Sequence, residues 1–434
     1  IIQVLTHKMS SAKTSPTLVL NEKIQSLWNE GKDVLHLGFG ESRFPTHPLL
    51  KNALAKGASN RSYLPSTGTE KLKNIIAKYY SKKLSRTLSA NQILIGVGSK
   101  SLLYSMIQSL EGNILLPKPS WVSYTSMAAL CGKSVIQFNL ERDHEYSLDL
   151  DTIHLAYHAA KKNGQNPKIL ILNSPNNPIG NSYSSNDLNM VTDWAKENNL
   201  VILSDEIYSL ITHNENTHTS PSSTYPEKTI VFGGLSKHLS LGGWRVGIAI
   251  VPDNAFGQGL VNNFNLIAGS IWSCVPAPIQ IVAETAFSAN PEIESYIHTC
   301  TKIHQIRTHY VYDHLKALGV SCPKPTGAFY IYISFKNYDR VLAMMGIDSC
   351  EDLANHLLET YEIATLPGVA FGDDPDELCL RISTSYLDME TDEKAELILK
   401  SFNSGINPTA MMNDHHPKTN LFLNRMDEFL SSLN

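Results

Sequence analysis

A lysine amine attacks a carbonyl carbon when its surroundings hold it in place, and Lys237 stands where such a site can form. Ser236 and Lys237 follow an apolar run, 230–232, and the pair Gly233-Gly234. Reversible Schiff-base formation is the chemistry such an amine supports. Two other apolar runs end in polar groups. The run 169–172 leads into Asn173-Ser174-Pro175-Asn176-Asn177-Pro178-Ile179-Gly180, and 201–203 leads into Ser204-Asp205-Glu206-Ile207-Tyr208. Ligands of open parallel sheets bind beyond the carboxyl ends of the strands. If these runs are neighbouring parallel strands, Asn177, Asp205, Tyr208 and Lys237 meet at one edge.

An acid at that edge can pair with a protonated ring nitrogen, as expected of a pyridoxal site. Such a group also needs a phosphate cradle. Gly98-Ser99-Lys100-Ser101 follows the apolar run 92–97 and opens a helical stretch, so backbone N–H groups at a helix N-terminus are available for an anion. Arg245, eight residues after Lys237, adds a guanidinium.

These groups need a scaffold. The chain has 434 residues, 42% hydrophobic and 18% charged, which suits a globular protein of two domains. Thirty-six basic against forty-one acidic side chains give a net charge of −5, too mild for a nucleic-acid or anionic-membrane partner. The six cysteines are widely spaced with no CxxC, which suits reduced thiols in a cytoplasmic compartment, an organellar matrix being the alternative. No apolar run is long enough to span a bilayer, and no metal site is expected. Residues 1–20 carry Lys8 and Lys13 but no acid, compatible with a trimmed targeting remnant. From about 60 to 255, short apolar runs alternate with helical patterns at 70–84, 149–163 and 184–199, the signature of a mostly parallel sheet covered on both faces. Residues 302–400 read as a smaller α+β lobe with strands at 328–333 and 378–382. The Asn/Pro/Ser/Thr-rich stretch 403–420 reads as loop, and 421–433 as a terminal amphipathic helix docked on its own subunit or a neighbour.

The segment Ser236-Lys237-His238-Leu239-Ser240-Leu241-Gly242-Gly243-Trp244-Arg245-Val246-Gly247, with the SPNNPIG and SDEIY runs, resembles the class I/II pyridoxal-phosphate aminotransferases of the aspartate-aminotransferase fold. The resemblance runs from about residue 15 to 401. It implies an α/β fold: a large domain at 51–300 with a seven-stranded, mostly parallel sheet, and a small domain built from 10–50 and 301–402. Residues 403–434 are then a C-terminal extension. By the same resemblance Lys237 carries pyridoxal 5'-phosphate and shuttles the proton, while Asp205 holds the ring N–H. Asn177 and Tyr208 bond the phenolic oxygen, Trp121 stacks on the ring, and Ser99, Lys100, Ser236 and Arg245 hold the phosphate. Tyr63 is implied to come from the partner subunit of a homodimer with shared sites. Arg381 and Gly40 are implied to bind the substrate α-carboxylate.

The implied reaction is a ping-pong transfer of an amino group from an L-amino acid to a 2-oxo acid. The substrate is less defined. No Lys or Arg occurs from 246 to 301, where some relatives keep an arginine for a distal carboxylate. Another branch, including bacterial aspartate and prephenate aminotransferases, uses a lysine where Lys100 stands. Arg43, in Glu41-Ser42-Arg43-Phe44-Pro45, is a second candidate for an acidic substrate. The competing readings are a lyase of the same fold and a non-catalytic cofactor-binding sensor. A P-loop fails because Ser99 and Leu94 stand where glycines are required. A dinucleotide loop fails at Arg43. His154 and His158 lack the Glu of HExxH and read as surface histidines.

Overall fold

The computed structural model describes residues 16–214 and 218–433. The targeting remnant expected near the start falls largely outside these residues. The strands are β1 (Leu35–His36), β2 (Ile93–Val97), β3 (Asn113–Lys118), β4 (Val135–Asn139), β5 (Pro167–Asn173), β6 (Val201–Asp205), β7 (Thr229–Gly234), β8 (Val246–Ile250), β9 (Tyr330–Ser334), β10 (Ile363–Ala364), β11 (Leu366–Pro367) and β12 (Cys379–Ser383). Five helices matter most below: α1 (Pro16–Asn29), α2 (Gly98–Ser109), α3 (Ser123–Leu130), α4 (Pro291–Ala317) and α5 (Pro417–Ser432).

Seven strands form one sheet in the order β2-β8-β7-β6-β5-β3-β4, in which only β8 runs antiparallel to its neighbours. Successive side chains point to opposite faces, so both faces are apolar. Ile95, Ile248 and Val231 pack on one side with Leu72 and Ile76 of the helix Glu70–Lys83. Leu94, Phe232 and Leu203 pack on the other with Leu102 and Met106 of α2. The fold is the expected α/β arrangement. Thr69, Asp149 and Ser184 each cap a helix by accepting a backbone N–H, which sets the starts of the helical patterns at 70, 150 and 185.

A second group of strands lies apart: β1 pairs in parallel with β10, and β11-β12-β9 form an antiparallel sheet. Helix α4 links the two regions. Its Ile293 and Ile297 pack in the large-sheet core, and its Val311 and Leu315 pack with Ile331, Ile333 and Leu380. Two strand starts differ from expectation. Strand β9 begins at Tyr330, two residues after 328, because Ala328 is left-handed at φ 54°. Strand β12 begins at Cys379 because Leu378 is left-handed at φ 52°.

The stretch 403–420 is not a loop. It holds a helix, Pro408–His415, and the first turn of α5. The Asn-Pro and His-Pro pairs in this stretch are helix starts with proline in the first turn, and Asn407 caps by accepting from Thr409 N. The Asp388 carboxylate accepts from the backbone N of Lys418 and Thr419, meeting the open N–H groups of α5. Phe422, Met426, Phe429 and Leu430 then pack against Leu35, Phe335 and Leu357 of the same chain. Among the described residues no helix is long and apolar enough to cross a membrane.

Candidate active site

Strands β5, β6 and β7 end together: Asn173 is level with Asp205, and Asp205 with Phe232. Beyond these ends lies a cavity of about 490 Å³. Of the residues expected there, Ser99, Lys100, Trp121, Asn177, Asp205 and Tyr208 line it. So do Ser236, Lys237, Arg245, Gly40 and Arg381. Residues from across the chain thus meet at the expected edge.

Asp205 forms the floor. It is buried and accepts from Tyr124 Oη at 2.7 Å and from Ile207 N at 3.3 Å. Burial pushes its carboxyl up to about 6, against the opposing pull of the Tyr124 hydroxyl. Tyr124 was not singled out from the sequence. The usable signal was spacing: on the first turn of α3 it lies three residues after Trp121, and the rings meet edge-on with centroids 5.2 Å apart. Tyr330 is a second residue the motifs did not show. Its hydroxyl bonds Tyr208 Oη at 2.7 Å, and a Cβ on Gly40 would stand only 2.5 Å from it.

The opposite end is built for an anion. Gly98 opens α2 at φ 72°, and the Arg245 guanidinium occupies the space where its Cβ would project. Arg245 itself is held left-handed at φ 58° and donates to Gly242 O at 2.8 Å. Lys100 stands beside it with Nζ 5.2 Å from the Trp121 ring centre. Burial lowers the Lys100 pKa, with further lowering from Arg245 and Lys237. Two cations, Arg245 and Lys100, and a helix N-terminus crowded together suit a dianionic phosphate.

Arg381 is 3% exposed. It donates to Asn177 Oδ1 at 2.9 Å and to Gly38 O at 2.7 Å, and it lies 4.6 Å from the Tyr330 ring centre. Among the described residues its Nε has no partner, and no carboxylate bonds it. Burial lowers its pKa. A guanidinium set in this way lacks the anion that would satisfy its fork. Lys237 Nζ donates to Gly40 O at 2.7 Å, between the phosphate cradle and Arg381.

Two expected residues lie outside the cavity. Tyr63 is 87% exposed. Arg43 bonds Glu41 at 3.3 Å and Glu390 O at 3.0 Å, and it lies over the Tyr386 ring. The donors present fit pyridoxal 5'-phosphate: the cationic end would take its phosphate, Asp205 its ring nitrogen and Lys237 its carbonyl.

The model of the family Aminotransferase class I and II matches residues 32–396. The chain is 30% identical over 407 residues to a probable aspartate/prephenate aminotransferase of Rhizobium leguminosarum bv. phaseoli, covering 91% of this chain and 97% of the relative. It is 30% identical over 397 residues to the aspartate aminotransferase of Geobacillus stearothermophilus, covering 89% and 96%. Its fold matches the solved aspartate aminotransferase of Thermus thermophilus with maleate at a TM-score of 0.79 and 24% identity, over 93% and 99% of the two chains. The chain belongs to the class I and II aminotransferases, and as a member of that family it is a pyridoxal-phosphate-dependent aminotransferase.

Proposed function

We propose that this enzyme exchanges amino groups between acidic L-amino acids and 2-oxo acids in two half-reactions, each using the same site. The observation that carries this reading is Arg381, a buried guanidinium without an acid partner among the described residues, in the same cavity as Lys237. When bound, pyridoxal phosphate supplies a reactive carbonyl and an electron-withdrawing ring. Asp205 accepts the ring N–H, and Asn177 and Tyr208 face the ring's phenolic oxygen. Arg381 and the backbone at Gly40 orient the α-carboxylate. The Lys237 amine takes the proton from substrate Cα and returns it, so it must sit within reach of that carbon. Lys100 supports the acidic preference, because it adds a cation to the wall of the cavity.

The reading extends to the assembly. The enzyme works as a homodimer, and the exposed Tyr63 of each subunit reaches the phosphate of the other. The six cysteines are all free thiols, which supports a reducing, cytoplasmic setting. The deciding experiment follows the visible absorbance of the loaded enzyme as single amino acids are added. Aspartate and glutamate should discharge the band faster than alanine or phenylalanine. Equal rates would remove the acidic preference, and ammonia release would replace transfer by elimination.

A further inference from the structure

A file of hydrogen bonds runs from Arg381 to the cavity mouth. Arg381 Nη2 donates to Gly38 O at 2.7 Å. Gly38 N donates to His36 Nδ1 at 3.2 Å, and His36 Nε2 lies 2.8 Å from Asn21 Oδ1. A backbone N–H can only donate, so Nδ1 accepts and Nε2 carries the proton. The partner of Nε2 must therefore be an acceptor, which fixes the Asn21 amide with its oxygen toward His36. Burial, aided by Arg381, lowers the His36 pKa to about 4, so the ring keeps this form at neutral pH. His36 is also packed among the rings of Trp28, Phe39 and Tyr386.

Asn21 Nδ2 has no partner among the described residues and is not sealed in the interior. Asn21 lines the cavity together with Thr17 and Leu18 of the same helix, α1. Leu18 is 57% exposed, so α1 reaches the cavity at its mouth, whereas Arg381 lies deep. Asn21 and Arg381 thus line one cavity, which leaves Asn21 open to the side chain of a substrate whose α-carboxylate is at Arg381.

We propose that Asn21 is a substrate-contacting, specificity-determining residue, oriented by His36 so that its Nδ2–H donates to an oxygen acceptor on the substrate side chain. The inference rests on the aminotransferase reading above and names a contact within it. It makes His36 a positioning residue, one that touches no substrate.

The test is calorimetric binding of succinate and of butyrate to the loaded enzyme, which measures the side-chain oxygen without turnover. Asn21→Asp retains an oxygen for His36 and replaces the cavity-facing N–H donor by a carboxylate oxygen; Asn21→Leu removes both polar groups. Both variants should weaken succinate at least tenfold and butyrate less than threefold, with thermal midpoints near wild type. His36→Phe should weaken succinate by a smaller factor and again spare butyrate. Unchanged succinate affinity in Asn21→Asp, equal losses for both acids, or a wild-type enzyme that does not prefer succinate each overturn the proposal. Failure of the enzyme to transaminate would overturn the functional reading instead, since these titrations do not depend on turnover.

Discussion

The Lys237 amine reaches from beyond the end of β7 to the carbonyl of Gly40, 197 residues earlier in sequence, at 2.7 Å. That single bond joins Lys237 to the segment that borders Arg381. Replacing Lys237 by Ala removes the amine to which the proposed function assigns both carbonyl attachment and proton transfer. Turnover should be lost, and added pyridoxal phosphate should give no covalently attached, borohydride-reducible chromophore. Wild-type catalysis by Lys237→Ala would overturn the assignment.

Arg381→Lys preserves charge but not the planar fork, and it gives up the face-on contact with Tyr330. Loss of a buried, hydrogen-bonded charge partner weakens binding by roughly 100-fold. Steady-state kinetics should show the KM for the amino acid rising by about that factor, with cofactor affinity nearly unchanged.

Tyr124 donates to Asp205, and that bond favours the ionised carboxylate. In Tyr124→Phe the Asp205 pKa should rise further above its present value of about 6. Cofactor affinity should then fall several-fold at pH 6 and little at pH 8. A pH profile of affinity identical to wild type would assign Tyr124 to packing alone.

Five buried histidines among the described residues give the fold an acid limit, with His304 lowered by burial along with the four that follow. Burial lowers His36 and His213 to about 4, and His238 and His416 to about 3. Below the unfolded value of about 6.5 the unfolded chain binds protons that the folded chain refuses, so stability falls as pH falls. The cost is about 1.4 kcal/mol per pH unit for each histidine kept neutral. In the cofactor-free protein Asp205 acts oppositely between its ordinary value and about 6, because its folded pKa is raised. The five histidines outweigh Asp205 and the likewise raised Asp373, and the thermal midpoint should drop steadily from pH 7 to pH 5.

Phe429 is fully buried in α5 and packs edge-on against Phe335 and Tyr361. Phe429→Ala should destabilise the protein by about 3–5 kcal/mol, read from chemical denaturation. A change below about 1 kcal/mol would mean that the helix is dispensable to the core.

The sheet was legible because its strands are continuous apolar runs, and the chemistry sits just past their ends. Asp205, Lys237 and Asn177 could be placed from that rule alone. Tyr124 and Tyr330 could not, since an ordinary aromatic acquires its role only from what the fold sets opposite its hydroxyl. Arg43 misled for the converse reason: its charge is already engaged by Glu41 and the Glu390 carbonyl. The helical start of the tail was hidden because Asn-Pro serves turns and helix caps equally well, and Asp388, which meets the α5 start, is about thirty residues away.

Arg425 of α5 bonds the Asp33 carbonyl at 3.2 Å and Glu362 at 3.0 Å, beside the pairing of β1 with β10. During synthesis the large sheet can therefore assemble while the ribosome is still at work. The segment bearing Gly38 and Gly40 gains its last support only after residues near 430 have emerged. Competence to bind substrate should arrive late, as a step that follows the docking of α5.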